Sequence, residues 1–473
     1  MKFDIIVIGA GSGGLSMGLS MHELGFSVLL IDKSEDSIGG ECLNNGCIPS
    51  KALIHASKII HQAKESQKFG LQVSNRVSMT EVMNYVNERQ ERIRKHENAE
   101  YYRKQGINVV IGTAKFVGKD AVQVGETVYH GKKIAIATGS QPRKLKIPGV
   151  ENVAYYDNEN IFTLKEVPET VLFIGAGPIS MELGQVFRRL GAEVIMVEML
   201  DRILINEAPE IAQVVYERSL DDGVQFHFGY KAVAFRDANT VVIENKDQQQ
   251  ITLNFNAVVV GIGREVSTKQ LDLQRAGIET DEKDAIKLDS YLRTTNKNIS
   301  VVGDAAQSLM FSHGAEHQAT LIISNFFTPI KKKLNYDNFS WVTFTEPEVA
   351  TFGLTEKQLK ERNISYEKLA LDFTDDDRAI TSDYQSGKLV LYIKNGMFGF
   401  SDAKLLGGSM VAPNAGEIFQ ELVLARSADI GIKSLFDKIY AYPTGSRVNK
   451  TIVINKYTKA LTPWMKKILK LLY

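Results

Sequence analysis

Residues 5–14 read Ile-Ile-Val-Ile-Gly-Ala-Gly-Ser-Gly-Gly, an apolar run that ends in a glycine-rich turn. A helix-compatible stretch continues to Leu24, and a second apolar run, 28–31, ends in Asp32. This order of strand, glycine turn, helix, strand and acid is typical of a doubly wound α/β domain that binds a dinucleotide. The glycines let the backbone approach a pyrophosphate, which is attracted by free N–H groups at the helix start. A glycine-rich turn without any ligand is the competing interpretation. Predicted contacts of this first module are Gly9, Gly11, Ser12, Gly14, Asp32 and Lys33.

The same pattern returns 166 residues later without a gap. Gly175 matches Gly9 and Glu198 matches Asp32, since 175 − 9 and 198 − 32 both equal 166. Ser180 replaces the third glycine and is small enough for close helix packing. The chain is therefore predicted to bind two dinucleotides on two doubly wound domains. Predicted contacts of this second module are Gly175, Gly177, Ile179, Ser180 and Glu198.

The acid of the second module predicts which nicotinamide dinucleotide binds there. A carboxylate at Glu198 repels the 2′-phosphate of NADPH, so we expect NADH to be preferred over NADPH. Arg202 is close in the sequence and would weaken that preference if it reached the phosphate. We favour the alternative that the Arg202 side chain is solvated.

Composition excludes several classes of protein. The 473 residues include 56 Lys plus Arg and 56 Asp plus Glu, so charge gives no reason to expect a nucleic-acid partner. Two cysteines exclude a disulfide-rich secreted scaffold. No apolar segment reaches the roughly 20 residues of a membrane span. We expect a soluble, cytoplasmic protein of about three domains.

Both cysteines follow the first module directly, in the stretch Gly-Gly-Glu-Cys-Leu-Asn-Asn-Gly-Cys-Ile-Pro-Ser-Lys at 39–51. A structural disulfide in so small a loop would stabilise the fold by only about 2 kcal/mol. A zinc site needs four ligands, which this stretch lacks. Inert buried thiols are a further alternative. We favour a redox dithiol of Cys42 and Cys47 beside a flavin that NADH supplies with electrons. Lys51 is one helical turn past Cys47 and could stabilise a thiolate.

The stretch 39–51 resembles the pyridine nucleotide-disulfide oxidoreductases, flavoproteins that include dihydrolipoamide dehydrogenase, glutathione reductase and mercuric reductase. The resemblance extends over nearly the whole chain. It implies FAD in the first module, a homodimer, Cys42 as the thiol that faces the substrate and Cys47 as the thiol that contacts the flavin. It also implies that Lys51 pairs with Glu182 beside the flavin ring.

Further segments of the family follow in the expected order. Residues 134–140 resemble the crossover that leaves the FAD domain, and 299–304 resemble the second FAD fingerprint, whose Asp304 would bind the ribitol chain. Residues 258–264 resemble the end of the NAD domain, although Val266-Ser267 replaces the usual Pro-Asn. Further contacts implied for the cofactors are Gly40, Glu41, Ala114, Ala137, Thr138, Gly139, Met310, Phe311 and, at the nicotinamide site, Gly263.

This order divides the chain into an FAD-binding domain at 1–150, an NAD-binding domain at 151–265, a central region at 266–338 and an α+β interface or dimerisation domain at 339–473. One long helix with a scaffolding role is predicted from Thr80, its N-cap, to Gly106.

The sequence departs from the family near its end. Disulfide-reducing members carry His-Pro-Thr followed three residues later by Glu; here Tyr442 replaces the His and Arg447 replaces the Glu. The resemblance gives that His the role of acid-base partner to the substrate-facing thiol, reaching across from the other subunit. Tyrosine, with a pKa near 10, is a poor base at neutral pH, and losing such a partner typically costs about 10² to 10⁴ in rate. Mercuric reductase also carries a tyrosine there, but it uses a C-terminal cysteine pair that this chain lacks.

We therefore expect an NADH-dependent oxidoreductase of mercuric-reductase-like type with a small-molecule or metal acceptor. Three alternatives stay open. One is a disulfide reductase of the dihydrolipoamide dehydrogenase type. Another passes electrons from the flavin directly to a quinone, a metal or another oxidant. The last is a redox sensor without catalysis.

Residues 462–473 form the other unusual segment. Thr462 and Pro463 are a good N-cap and first helical residue, and the residues that follow are typical of a basic amphipathic helix. We expect this helix to dock on its own interface domain. Binding to an anionic membrane surface is the alternative.

Overall fold

The computed structural model describes residues 1–73, 77–396 and 402–473. These form two compact units. The first contains Met1–Gly175, Arg189–Glu193 and Ala232–Leu334, and the second contains Ala176–Arg188, Val194–Lys231 and Asn335–Tyr473.

The helices and strands follow one another as the two glycine patterns predict. The helices are α1 Ser12–Glu23, α2 Gly40–Asn44, α3 Cys47–Glu65, α4 Met79–Arg94, α5 Ala99–Lys104, α6 Pro178–Leu190, α7 Pro209–Asp221, α8 Ser312–Phe327, α9 Glu356–Glu361, α10 Asp377–Thr381, α11 Ala415–Ile418, α12 Gln420–Ser427, α13 Lys433–Asp437, α14 Arg447–Ala460 and α15 Pro463–Leu472. The strands are β1 Lys2–Ile8, β2 Val28–Asp32, β3 Asn108–Ile111, β4 Ala114–Phe116, β5 Ala121–Val124, β6 Thr127–Ile136, β7 Ser140–Pro142, β8 Thr170–Ile174, β9 Glu193–Glu198, β10 Gln225–Phe228, β11 Tyr230–Asp237, β12 Thr240–Asn245, β13 Gln250–Asn254, β14 Ala257–Val260, β15 Arg264–Val266, β16 Ile299–Val301, β17 Ser340–Thr343, β18 Glu348–Gly353, β19 Glu367–Asp372, β20 Lys388–Lys394 and β21 Lys404–Ala412.

The first unit is built on a sheet with the strand order β3-β2-β1-β6-β5-β4, to which β16 adds beside β6. β1 lies between β2 and β6 and is parallel to both, with Ile5 opposite Val28 and Lys133. Every residue of β2 is buried, as expected for a parallel strand that is covered on both faces. The predicted doubly wound α/β architecture is confirmed for the first module.

The predicted single helix from Thr80 to Gly106 is wrong, because the structure has two helices there. The N-cap of α4 is Ser78, two residues before the predicted Thr80, and its side chain accepts a hydrogen bond from the Glu81 backbone N–H. Asn98 then ends the run: its side chain donates to the Arg94 carbonyl and caps the start of α5. An Asn side chain that bonds to nearby backbone competes with helix continuation, which is why the two helices separate here.

The second unit contains an antiparallel sheet with the order β17-β18-β21-β20-β19. Its core combines apolar side chains of this sheet with those of α12 and α14, among them Phe352, Leu391, Leu422 and Ile452. No helix among the described residues is long and apolar enough to cross a membrane.

α15 begins as predicted, with the Thr462 side chain accepting a hydrogen bond from the Met465 backbone N–H and with Pro463 as its first residue. The expectation that it docks on its own domain is wrong, because none of its residues is buried. Trp464 is 69% exposed and Leu472 is 80% exposed.

Candidate active site

The first glycine turn is packed too closely for a side chain at Gly9 or at Gly14. A Cβ on Gly9 would lie 2.3 Å from the Ala137 carbonyl oxygen, and one on Gly14 would lie 1.9 Å from the Gly9 carbonyl oxygen. Gly9 also has a φ of 106°, which favours glycine. α1 then starts at Ser12 with no acidic residue in its first turn and no side chain capping it among the described residues. Its first N–H groups are therefore available to an anion.

Asp32 fixes this turn from the end of β2. Its Oδ2 accepts a hydrogen bond from the Ala10 backbone N–H at 2.6 Å, and its Oδ1 accepts one from the Lys33 backbone N–H at 2.7 Å. The Ser37 hydroxyl also donates to Oδ1. Asp32 is 9% exposed, whereas Lys33 is exposed. The acid thus orients the loop that carries the glycines.

The four segments that resemble family motifs in the first unit meet around Arg264. Its guanidinium forms a two-point ion pair with the Glu41 carboxylate and donates from Nε to the Ser140 hydroxyl at 2.7 Å. Ser140 in turn donates to Asp304 at 2.5 Å, and Asn158 donates to Glu41. The cysteine stretch, the crossover, the 258–264 segment and the second fingerprint are therefore joined by side chains.

The Glu41 carboxylate has an unusual protonation equilibrium. Burial raises its pKa from the ordinary 4.5 to about 7, although Arg264 and Asn158 act in the opposite direction. The nearby Asp304 carboxylate adds to the increase. Protonation of Glu41 near neutral pH would weaken the ion pair beside the cysteines.

Cys42 and Cys47 are free thiols that are close enough to hydrogen-bond. That hydrogen bond raises the pKa of Cys42, and burial and the Glu97 carboxylate raise it further. Cys47 is the first residue of α3, where the helix N-terminus favours negative charge, and its Sγ lies 3.7 Å from the Ser312 hydroxyl. The two thiols are therefore not equivalent: Cys42 retains its proton, and Cys47 is placed where a thiolate is stabilised.

Gln90 holds the turn between the cysteines, a role that the sequence analysis missed. Its Nε2 donates to the carbonyl oxygens of Leu43 and Asn44 at 3.0 and 2.8 Å. Gln90 is 9% exposed and continues the buried face of α4, after Val82 and Val86. A polar residue on the apolar stripe of a helix was the signal that could have identified it.

The second glycine turn repeats the local structure of the first. Gly175 has a φ of 103°, and a Cβ on it would lie 2.5 Å from the Gly261 carbonyl oxygen. The turn after it includes Gly177, and α6 then starts at Pro178. Ile179 is 43% exposed, and Gly263 has a φ of 101°.

Glu198 has the same type of contacts as Asp32. Its Oε2 accepts a hydrogen bond from the Ala176 backbone N–H at 2.8 Å, and its Oε1 accepts one from the Leu200 backbone N–H at 2.9 Å. Ser180 is 1% exposed, and its hydroxyl has no hydrogen-bond partner among the residues that the structure describes. The repeat in the sequence is therefore also a repeat of turn geometry.

Arg202 is half-buried, and its guanidinium is held by the backbone of its own loop, which differs from the favoured interpretation of a solvated side chain. Its guanidinium donates to the carbonyl oxygens of Ile203, Leu204, Ile205 and Glu207, at 2.7 to 3.4 Å. The side chain closes its own loop, because a guanidinium satisfies several carbonyls at once.

Tyr442 and Arg447 lie beside each other in the second unit, together with Asp377, which the sequence did not single out. The Arg447 guanidinium lies 5.0 Å from the centre of the Tyr442 ring, and the Tyr442 hydroxyl donates to Asp377 Oδ2 at 3.2 Å. That hydrogen bond raises the pKa of Tyr442. The three side chains line a cavity of about 290 Å³, and Asp375 and Arg378 also belong to its lining.

Comparison with known proteins identifies the family. A family model described as pyridine nucleotide-disulphide oxidoreductase matches residues 3–319, and the dimerisation domain of the same family matches residues 339–452. The chain belongs to the pyridine nucleotide-disulphide oxidoreductase family. Its members are FAD-binding oxidoreductases that use NAD(P)H, and the dimerisation domain indicates a homodimer.

Among the relatives, the mercuric reductase of Staphylococcus aureus is 29% identical over 93% of this chain and 80% of that protein. The dihydrolipoyl dehydrogenase of Vibrio cholerae is 32% identical over 94% of this chain and 93% of that protein. A solved copper(II) complex of the HOCl-induced flavoprotein disulfide reductase RclA from Escherichia coli has a TM-score of 0.83 at 24% identity. It covers 96% of this chain and 99% of that one, and it shows the shared fold.

The residues of the first unit fit an FAD of this family. The free N-terminus of α1 and the glycine turn suit a pyrophosphate, and the buried Thr138 hydroxyl has no hydrogen-bond partner among the described residues. Gly139 has a φ of 66°. A Cβ on Gly40 would lie 2.5 Å from the Cα of Gly11, so Gly40 is needed where the two loops approach.

Four other predicted residues have simple local environments. The Ala114 side chain packs in the core, so only its backbone could contact a ligand, whereas Met310 is 36% exposed. Phe311 precedes α8, and its ring centre lies 5.4 Å from that of His313. Glu182 is 6% exposed and accepts the Phe344 backbone N–H at 2.8 Å. Its pairing with Lys51 remains a prediction.

Proposed function

We propose that this protein is an NADH-dependent oxidoreductase whose Cys42–Cys47 dithiol delivers two electrons to a small-molecule or metal acceptor other than lipoamide or glutathione disulfide. FAD, when bound, supplies the two-electron exchange between NADH and the cysteine pair. The observation that carries the choice of acceptor is the contact of Tyr442 with Asp377. Oxidation of the dithiol to a disulfide releases two electrons to the acceptor and two protons to the medium.

The environment of Tyr442 disfavours proton transfer at neutral pH. Reduction of a disulfide substrate produces a thiolate that needs a proton, and a residue with a pKa near pH 7 serves best. The hydroxyl of Tyr442 already donates to Asp377, which raises its pKa above the ordinary value of 10. Arg447 adds a fixed positive charge beside it. The cavity lining holds four aspartates and two arginines, so these properties suit a metal cation better than a neutral disulfide.

The thiols support a division of roles. Cys47 lies at a helix start, where negative charge is stabilised, and is exposed. Cys42 is more buried and holds its proton through the hydrogen bond with Cys47. We assign Cys42 to the acceptor and Cys47 to the flavin side, as the family resemblance implies.

Glu198 supports NADH as the donor. Its two oxygens accept hydrogen bonds from the backbone N–H groups of Ala176 and Leu200, so the carboxylate is fixed in place. The guanidinium of Arg202 keeps its charge but is bonded to the backbone carbonyls of its own loop, which occupies the donors that a 2′-phosphate would need.

An acceptor panel with the FAD-loaded protein tests the proposal. NADH oxidation is followed under anaerobic conditions with mercuric ion, a quinone, lipoamide and glutathione disulfide, in the wild type and in Cys42→Ser. Alkylation and mass spectrometry report whether NADH converts Cys42 and Cys47 to free thiols. We expect both thiols to appear, lipoamide and glutathione disulfide to be poor acceptors, and the preferred acceptor to lose turnover in Cys42→Ser.

Two results would overturn it. Fast lipoamide or glutathione disulfide turnover by the wild type contradicts the argument from Tyr442. Full acceptor turnover by Cys42→Ser would assign the electron delivery to the flavin.

A further inference from the structure

α15 is a strongly amphipathic helix. At about 100° per residue, its apolar side chains occupy an arc of roughly 160°, and its lysines occupy the opposite arc of roughly 100°. The apolar face consists of Trp464, Met465, Ile468, Leu469, Leu471 and Leu472, and the basic face consists of Lys466, Lys467 and Lys470. None of these residues is buried, and Leu471 is 84% exposed.

The charge around this helix is one-sided, although the whole chain is neutral. Residues 438–473 include seven Lys and one Arg but no Asp or Glu. Some of these cations are used within the fold, since Lys438 pairs with Glu421 and Lys456 pairs with Glu367. The three lysines of α15 form no ion pair with any residue that the structure describes. The helix therefore combines an uncovered apolar face with cations that are available to an anionic partner.

We propose that α15 binds the surface of an anionic phospholipid bilayer. A basic amphipathic helix lies in the plane of the membrane interface, with its apolar face among the acyl chains and its cations at the headgroups. Trp464 at the start of the helix and Tyr473 after its end are of the types that are enriched at the interface.

A second copy of the chain is a weaker candidate for this surface. The family's dimerisation domain matches residues 339–452 and ends before α15. Two α15 helices packed on each other through their apolar faces would also leave the lysines on the opposite arcs facing away from the contact, so such a contact would not use the basic face. A homodimer carries the helix twice, and two copies on the same side of the dimer would engage one membrane at once and raise the apparent affinity.

Vesicle co-sedimentation of the FAD-loaded protein tests the proposal. The vesicles consist of phosphatidylcholine alone or of phosphatidylcholine mixed with phosphatidylglycerol. We expect binding to the anionic vesicles only, with affinity that falls as salt is added, because surface charges are screened.

A matched pair of variants separates local charge from overall charge. Lys466→Gln, Lys467→Gln and Lys470→Gln together should weaken binding by about 10- to 100-fold, since each lysine near an anionic surface contributes to attraction. The control combines Lys115→Gln, Lys144→Gln and Lys246→Gln, three exposed lysines outside this segment, and should bind like the wild type. Leu469→Gln tests the apolar face and should also lose binding. All variants should keep FAD content and NADH-dependent dye reduction, because α15 has no buried residue.

The proposal is overturned if the wild type does not sediment with anionic vesicles, or if the control variant loses as much binding as the α15 variant. It is also overturned if the α15 variants convert the dimer to monomer in sedimentation velocity while vesicle binding is unchanged. That result would make α15 a contact between subunits.

Discussion

The guanidinium of Arg264 forms a two-point ion pair with the carboxylate of Glu41, the residue that immediately precedes Cys42. The pair is largely removed from solvent, with side-chain exposures of 14% and 30%. It joins the start of β15 to α2, the short helix that carries Cys42. Glu41, and with it the start of α2 next to Cys42, is therefore held by a residue 223 positions from Glu41 in the sequence.

Removing one partner of this ion pair should destabilise the first unit. Arg264→Met leaves the Glu41 carboxylate without its cation in a partly buried site, and we expect a loss of about 2 kcal/mol in the free energy of unfolding. Glu41→Gln should cost less, because the amide can still accept a hydrogen bond. Urea titration of the two single variants and the double variant measures the coupling. Arg362→Met, which removes an exposed ion pair with Asp337, is the control and should change stability by at most about 0.5 kcal/mol.

The same pair predicts how stability depends on pH. Burial raises the pKa of Glu41 from 4.5 to about 7, so the folded protein holds this proton more tightly than the unfolded chain does. The resulting stabilisation is complete below the unfolded pKa and is lost as pH rises through about 7. Between pH 4.5 and about 7, the free energy of unfolding of the wild type should therefore fall relative to that of Glu41→Gln. A difference between the two urea midpoints that does not change with pH would contradict this assignment.

Sequence analysis predicted the two glycine modules because their signals are local. Gly9 and Gly175 both have left-handed φ values, and Asp32 and Glu198 both hold the backbone N–H of the residue that follows the first glycine. These features need only the neighbouring strand and turn, so a short motif predicts them.

The contacts that depend on distant residues were not predicted. Glu41 and Arg264 come together only because the chain folds back over 223 residues. Neither the segment around Glu41 nor the segment around Arg264 contains a signal for this pairing. The hydrogen bonds of Arg202 to its own loop were missed for a different reason. The sequence around an arginine does not distinguish a side chain that extends into solvent from one that bonds to nearby backbone carbonyls. The spacing of apolar and basic residues in α15 predicted its two faces. It did not predict whether another part of the chain covers the apolar face.

Gln90 should control the exposure of the cysteine turn. Gln90→Ala removes the donor that holds the carbonyl oxygens of Leu43 and Asn44, and one buried and one half-buried acceptor then lack this donor. We expect a loss of about 1 to 3 kcal/mol in the free energy of unfolding. Cys42 and Cys47 should also react several-fold faster with an alkylating reagent in the reduced protein. Asn87→Ala, on the exposed face of the same helix, is the matched control and should change neither measurement.

Glu198 should determine the preference for NADH. Glu198→Ala removes the carboxylate that repels a 2′-phosphate, and the ratio of kcat/KM for NADH to that for NADPH should fall by about 10-fold. Arg202→Met serves as the comparison. Because its guanidinium closes its own loop, this variant should lower stability and leave the ratio unchanged. A ratio that shifts toward NADH in Arg202→Met would show that this arginine does reach the phosphate.

Tyr442 and Arg447 should limit turnover with a disulfide substrate. Restoring the residues of the disulfide-reducing members, with Tyr442→His and Arg447→Glu together, supplies an imidazole and a carboxylate to orient it. Lipoamide turnover should then rise by at least about 10-fold, since a positioned general acid-base group typically contributes 10²- to 10⁴-fold. The gain should appear with a new pH dependence near the pKa of histidine. Tyr442→Phe removes only the hydroxyl that donates to Asp377 and should not increase lipoamide turnover. If Tyr442→Phe abolishes lipoamide turnover that the wild type performs well, the tyrosine itself is the proton donor, and the acceptor argued from its poor basicity is wrong.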